Sequence, residues 1–135
     1  MSDIVIFDTS VLVDELRTGR HRKRIESAEG LVRTSSVVLA ELLRGVIGPA
    51  EQKFLRSLAR NYPILTPSEE NWIESGEILA DIRADQGFAP HKLRDLHFDL
   101  LIALTARSYG ARLITTNRTD FELVSRHCEI KLEVW

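Results

Sequence analysis

Apolar residues in this chain fall into short dense runs separated by longer stretches in which they recur every third or fourth position. Ile4 to Phe7 is the first run, four apolar residues stopped by Asp8. A run without alternation and rich in β-branched residues reads as a strand buried on both faces, as in a parallel sheet. Residues 31–34, 62–66 and 113–116 read as three more short strands. The intervening stretches have helical spacing. Thr9 and Ser10 offer caps for a helix through Val11, Leu12, Val13 and Leu16 that ends near Gly19, and a polar, basic helix covers 21–28 before Gly30 breaks it. Ser35 or Ser36 caps a helix over 37–46, and Pro49 opens another at its first turn. Pro67-Ser68 starts a long helix with Glu69 and Glu70 at its positive end. Gly87 to Pro90 reads as a loop. A helix over 96–109 follows and stops at Gly110, and Thr119-x-x-Glu122 has the form of a capping box. Ile130, Leu132 and Val134 alternate with Lys131 and Glu133, the pattern of a half-exposed edge strand.

Strands alternating with helices predict a parallel sheet covered by helices on both faces. At 135 residues the chain is expected to form one domain over 1–135. A chain of that size buries roughly two-thirds of its unfolded surface and holds a core without staples. There is no internal repeat and no low-complexity segment.

Charge changes this picture only locally. The net charge of −2 does not announce a nucleic-acid binder. Arg17, Arg20, Arg22, Lys23 and Arg24 nevertheless lie close together, either as a solvated helix face or as a contact for phosphates or an acidic partner. The single cysteine, Cys128, makes no internal disulfide, and with His127 alone beside it no zinc spacing arises. His21, His91, His97 and His127 are scattered and read as surface or loop residues. No segment has the length and apolarity of a signal peptide or membrane span, so a cytoplasmic protein with no membrane association is expected.

The acids carry more information than the bases. Asp8 ends an apolar strand, and Asp120 follows another in ITTNRTDF. In open α/β sheets ligands sit beyond the carboxyl ends of the strands, which places both acids at that edge. Glu41 lies in VVLAELLRG, where Val37 and Val38 share its helix face. Asp99 lies in FDLLIALTA, a helix apolar nearly all round. Taken singly, each acid could be a helix cap or one half of an ion pair. Four together are harder to explain, because two unit charges about 4 Å apart cost roughly 4 kcal/mol at an effective dielectric near 20. Such a group requires cations, and hard oxygen ligands suit Mg²⁺ or Mn²⁺.

VIFDTSVLVD, VVLAELLRG, FDLLIALTA and ITTNRTDF, in that order over nearly the whole chain, resemble a PIN domain, and more narrowly the VapC-type toxins of toxin–antitoxin pairs. The resemblance implies a three-layer α/β/α sandwich around a mostly parallel sheet and Mg²⁺-dependent endoribonuclease activity, with Mn²⁺ as a possible substitute. It assigns the catalytic and metal-binding positions to Asp8, Glu41, Asp99 and Asp120, with Glu41 either a ligand or the group that orients the attacking water. Thr115 and Asn117 match the polar positions before the last acid and would orient carboxylates and water. Leu100 stands where many relatives carry a small residue, and Asp95 is an extra acid without an assigned role. The resemblance further implies an antitoxin that blocks the site and a homodimer within that complex. Phosphate contacts for RNA would come from the 17–24 cluster, Arg44, Arg112 or Arg118, with Arg118 favoured for its place in the turn before Asp120. Two rivals are a phosphotransfer receiver, which would need a phosphoacceptor Asp where Thr66-Pro67 stands, and a PIN-like interaction module without catalysis.

Overall fold

The computed structural model describes residues 3–135. Its elements are β1 (Ile4–Phe7), α1 (Thr9–Thr18), α2 (Arg22–Ser27), β2 (Leu31–Ser35), α3 (Ser36–Arg44), α4 (Pro49–Asn61), β3 (Ile64–Leu65), α5 (Glu69–Gln86), α6 (Pro90–Ser108), β4 (Arg112–Thr115), α7 (Arg118–Ser125) and β5 (Lys131–Val134). The strands form one sheet in the order β3-β2-β1-β4-β5, every pair parallel. Helices flank it on both sides, so the expected three-layer α/β/α sandwich is the observed fold.

The strand order has a functional consequence. From β1 the chain builds outward through β2 to β3, then returns to the other side of β1 for β4 and β5. The order therefore reverses between β1 and β4, and the carboxyl ends of a parallel sheet open a crevice at such a switch point. Phe7 pairs with Ile114 in register, so Asp8 and Thr115 emerge there side by side. The Asp8 amide still donates to the Ile114 carbonyl at 2.8 Å.

The core lies against the two central strands. Val5, Ile6, Leu113 and Ile114 are fully buried, as are Phe121 and Val124 of α7. The α6 helix is buried all round from Asp99 to Ala106, as its sequence foretold. Thr105, fully enclosed there, donates back to the Leu101 carbonyl at 2.7 Å and leaves no orphaned hydroxyl. Gly30 is the one position where a side chain is sterically excluded: at φ 117° a Cβ would lie 2.3 Å from the Asp3 carbonyl oxygen. No helix among the described residues is long and apolar enough to cross a membrane.

Several boundaries differ from the sequence reading. Pro90 is not loop; it opens α6 at the first helical position, where a missing N–H costs nothing, so this helix begins two turns earlier than expected. Strand β3 shrinks to two residues. The capping box falls on Ser68 and Asn71 rather than on Thr119 and Glu122. At α7 the cap is Asn117, whose side chain accepts from the Asp120 amide and leaves Thr119 inside the helix. His21 is not a surface residue: it is buried, with Nε2 2.7 Å from Asp14, and its ring packs on Trp135.

Candidate active site

Asp8 follows β1 directly and caps α1. Its Oδ2 accepts from the Ser10 hydroxyl at 2.8 Å, the Thr115 hydroxyl at 2.9 Å and the Ser10 amide at 3.3 Å. Thr115 is itself fixed, because its Oγ1 accepts from the Asn117 amide at 2.9 Å. One carboxylate oxygen is thus held by donors from β4 and α1 together. Burial nevertheless pushes the Asp8 carboxyl above its ordinary range, against the pull of these hydrogen bonds.

Asp120 stands in the first turn of α7. Asn117 binds it twice, accepting from its amide at 3.4 Å and donating Nδ2 to Oδ2 at 3.1 Å. Its other oxygen, Oδ1, takes the Lys92 ammonium at 2.6 Å. The Asp120 carboxylate is 13% exposed and the Lys92 side chain 34%.

The two helix-borne acids are placed differently. Glu41 is half-buried on α3, with Oε1 accepting from the Thr9 hydroxyl at 2.7 Å. Burial raises its pKa, and the charges of Asp8 and Asp95 raise it further, while Thr9 and Arg44 oppose the shift. Asp99 is 8% exposed on α6. Its carboxyl is pushed up to about 8, first by burial and then by Asp8, Asp120 and Glu41, with Lys92 the only opposing charge. Burial and the three facing carboxylates thus both favour the protonated form of Asp99.

All four acids line one cleft of about 250 Å³ together with Thr9, Ser10, Asp95 and Asn117. The convergence expected from the sequence is therefore observed. Thr115 and Asn117 stand where expected as supports. Arg118 does not line this cleft; it pairs with Glu122 one turn on at 2.9 Å, its side chain 65% exposed. In the basic cluster, Arg20 pairs with Asp14 and Arg24 lies over the Trp135 ring.

Three contributors were not singled out from the sequence. Thr9 and Ser10 look like helix caps, and only the fold shows that their hydroxyls serve Glu41 and Asp8. Lys92 was hidden by the misplaced start of α6. Once that helix begins at Pro90, Lys92 lies seven residues before Asp99, two turns away on the same face.

The donor set suits a hard divalent cation, since its side chains offer carboxylate, hydroxyl and amide oxygens and the acids repel one another. The side chains do not form a finished cage: among the described residues, no three carboxylate, histidine or cysteine side chains surround a single point.

A family model described as PIN domain matches residues 5–126. No curated protein matches the sequence. Among solved structures, a chain of VapBC2 from Rickettsia felis, bound to a DNA fragment from its promoter, superposes with a TM-score of 0.71 at 24% identity, covering 98% of each chain. A chain of DNA-bound VapBC from Salmonella typhimurium gives 0.69 at 23%, covering 100% of this chain and 99% of that one. FitAcB from Neisseria gonorrhoeae gives 0.65 at 18%, covering 95% of each. These likenesses bear on the fold. With the family model spanning nearly the whole chain and the ordered acids in one cleft at the switch point, the protein belongs to the PIN-domain family.

Proposed function

We propose that the chain is a Mg²⁺-dependent endoribonuclease, the toxin of a toxin–antitoxin pair, with Mn²⁺ able to replace Mg²⁺. The observation that carries this reading is the convergence of Asp8, Glu41, Asp99 and Asp120 on one open cleft, where burial and then the three facing carboxylates raise the Asp99 pKa to about 8. A purely structural cluster would be paired off by bases, and among the described residues only Lys92 forms an ion pair with any of the four acids.

Asp8, Asp99 and Asp120 would hold the cation, with Glu41 as a further ligand or as the group that orients water. A bound Mg²⁺ supplies an acidified water and neutralises charge on the scissile phosphate. The chain's own groups do the positioning. Ser10 and Thr115 fix Asp8, Asn117 fixes Asp120, and Thr9 holds Glu41 by Oε1, leaving Oε2 to accept a proton from water. Burial and the charges of Asp8 and Asp95 make Glu41 a stronger base than a free carboxylate. Attack by water leaves a 5′-phosphate and a 3′-hydroxyl, whereas attack by the ribose 2′-hydroxyl leaves a cyclic phosphate.

An antitoxin is the expected partner, because a free ribonuclease damages its own cell. Related folds include a toxin–antitoxin complex from Klebsiella pneumoniae and the VapBC complexes. A cavity of about 530 Å³ with apolar walls, including Leu12, Leu16, Ile25, Phe54 and Leu58, lies among α1, α2 and α4 and could seat an apolar peptide. Both Glu15 carboxylate oxygens are buried beside it without a hydrogen-bond partner, so a donor from the peptide would be welcome there. A smaller cavity shares Leu16 with this groove and Glu41 with the acidic cleft, a path by which a basic side chain could reach the acids. Exposed Trp72 beside Val37, Ala40, Phe98 and Leu101 offers an apolar face for a homodimer.

Inducing the chain in cells and sequencing RNA 5′-monophosphate ends tests the proposal. Discrete new ends that vanish for Asp99→Asn are expected; unchanged RNA and normal growth contradict it. The second reading, a PIN-like module without catalysis, is favoured by the unfinished cage of carboxylates. Tight metal binding with no cleavage of any RNA would support it.

A further inference from the structure

Asp120 has neither oxygen free: Oδ1 takes the Lys92 ammonium at 2.6 Å and Oδ2 takes the Asn117 amide at 3.1 Å. Asp99, by contrast, has no hydrogen-bond donor among the described residues: burial and the facing carboxylates of Asp8, Asp120 and Glu41 raise its pKa, and the charge of Lys92 opposes them. The one cation that forms an ion pair with these four acids among the described residues is thus tethered to the chain. Lys92 reaches it from the first turn of α6, where an ammonium gains nothing from the helix, since the dipole there is positive. Its position is explained by the carboxylates alone. A partly exposed lysine also retains the freedom to leave, as its flexible stem lets the ammonium return to water.

We propose that Lys92 is a built-in competitor for the divalent cation. Without a divalent ion its ammonium neutralises Asp120 and occupies Oδ1, the oxygen that a cation would otherwise take. Cation binding displaces it, because a divalent ion and an ammonium at the same carboxylate repel each other. Lys92 therefore sets the metal affinity of the site and keeps the free chain poorly loaded at low metal concentration. This inference rests on the metal-site reading given above.

The test is Mn²⁺ binding to the full-length chain, followed by electron paramagnetic resonance of the free ion, with no RNA present. Lys92→Met keeps most of the apolar stem and removes the charge, while Lys92→Arg keeps the charge. Lys92→Met is expected to bind Mn²⁺ about tenfold more tightly than wild type, and Lys92→Arg to remain within about twofold of it, with circular dichroism confirming that both fold. Unchanged or weaker binding by Lys92→Met overturns the role of Lys92 while leaving the metal site intact. Absence of Mn²⁺ binding in wild type and both variants removes the metal site itself, and the role of Lys92 with it.

Discussion

The two halves of the acidic cleft are built on different terms. Asp8, directly after β1, and Asp120, in the first turn of α7 just beyond β4, are surrounded by donors: Ser10 and Thr115 hold one, Asn117 and Lys92 the other. Glu41 and Asp99 project from helices and are nearly bare, with Thr9 on Glu41 and no hydrogen bond among the influences on Asp99. The strand half is a scaffold whose geometry is complete without a ligand. The helix half is left electrostatically frustrated, and under the proposed function an incoming cation would relieve that frustration. The proposed function rests on this mismatch, since a site satisfied on both sides would have no use for a metal.

Substitutions should separate the halves. The largest effect is expected on the helix side, where Asp99→Asn removes a proposed ligand. Cleavage should fall at least about a hundredfold, since even removing groups that only support a metal ligand costs ten- to hundredfold. Wild-type rates for Asp99→Asn would mean that the helix half is not catalytic.

The same substitution should stabilise the metal-free fold in a pH-dependent way. The folded pKa of Asp99 is raised from 3.8 to about 8. The stability associated with its protonated form is full below the unfolded pKa and is lost as pH rises to the folded one. Asp99→Asn should match wild type near pH 4, gain on it steadily, and level off above pH 8, reaching an advantage on the order of a few kcal/mol at about 1.4 kcal/mol per pKa unit. Thermal melts across pH measure this. A constant offset, or a loss of stability, would show that Asp99 is not frustrated.

Thr115→Val should give the opposite result on the strand side, destabilising the fold by about 1–3 kcal/mol by leaving buried Asp8 short of a donor and the Asn117 amide short of an acceptor. Denaturant unfolding reports it, and a change under about 0.3 kcal/mol would mean that the scaffold does not depend on this hydroxyl.

Arg118→Ala should have the smallest effect, within about 0.5 kcal/mol on stability, because an exposed i,i+4 ion pair contributes little. If Arg118 leaves Glu122 to hold a substrate phosphate, RNA binding weakens and its salt dependence flattens. Identical cleavage at several salt concentrations would take Arg118 out of RNA binding and direct attention to Arg44, which packs over the Phe98 ring and pulls on Glu41.

What was legible in the sequence follows the same division. Asp8 could be placed because a fully apolar run stops at it, and Asp99 because an acid in a buried helix is conspicuous. Strand alternation with helices predicted the sheet, and Gly110 the end of α6, where its φ of 62° is observed. Lys92 was illegible because Pro90 signals a loop as readily as a helix start, and two turns of helix were lost with that choice. The pairing of Thr9 with Glu41 joins residues 32 apart and depends on how α1 meets α3, which no local pattern encodes. The buried His21 was missed for the same reason, since its partner Trp135 lies at the far end of the chain.

The central claim is that the cleft is a cation site that cuts RNA with water. The most direct measurement is to incubate the purified chain with a mixed RNA pool in Mg²⁺ or in excess EDTA and map the chemistry of the new ends. The account predicts 5′-phosphate and 3′-hydroxyl ends in Mg²⁺, and none in EDTA or with Asp99→Asn. Cleavage that persists in EDTA, or ends carrying a 2′,3′-cyclic phosphate, would contradict it.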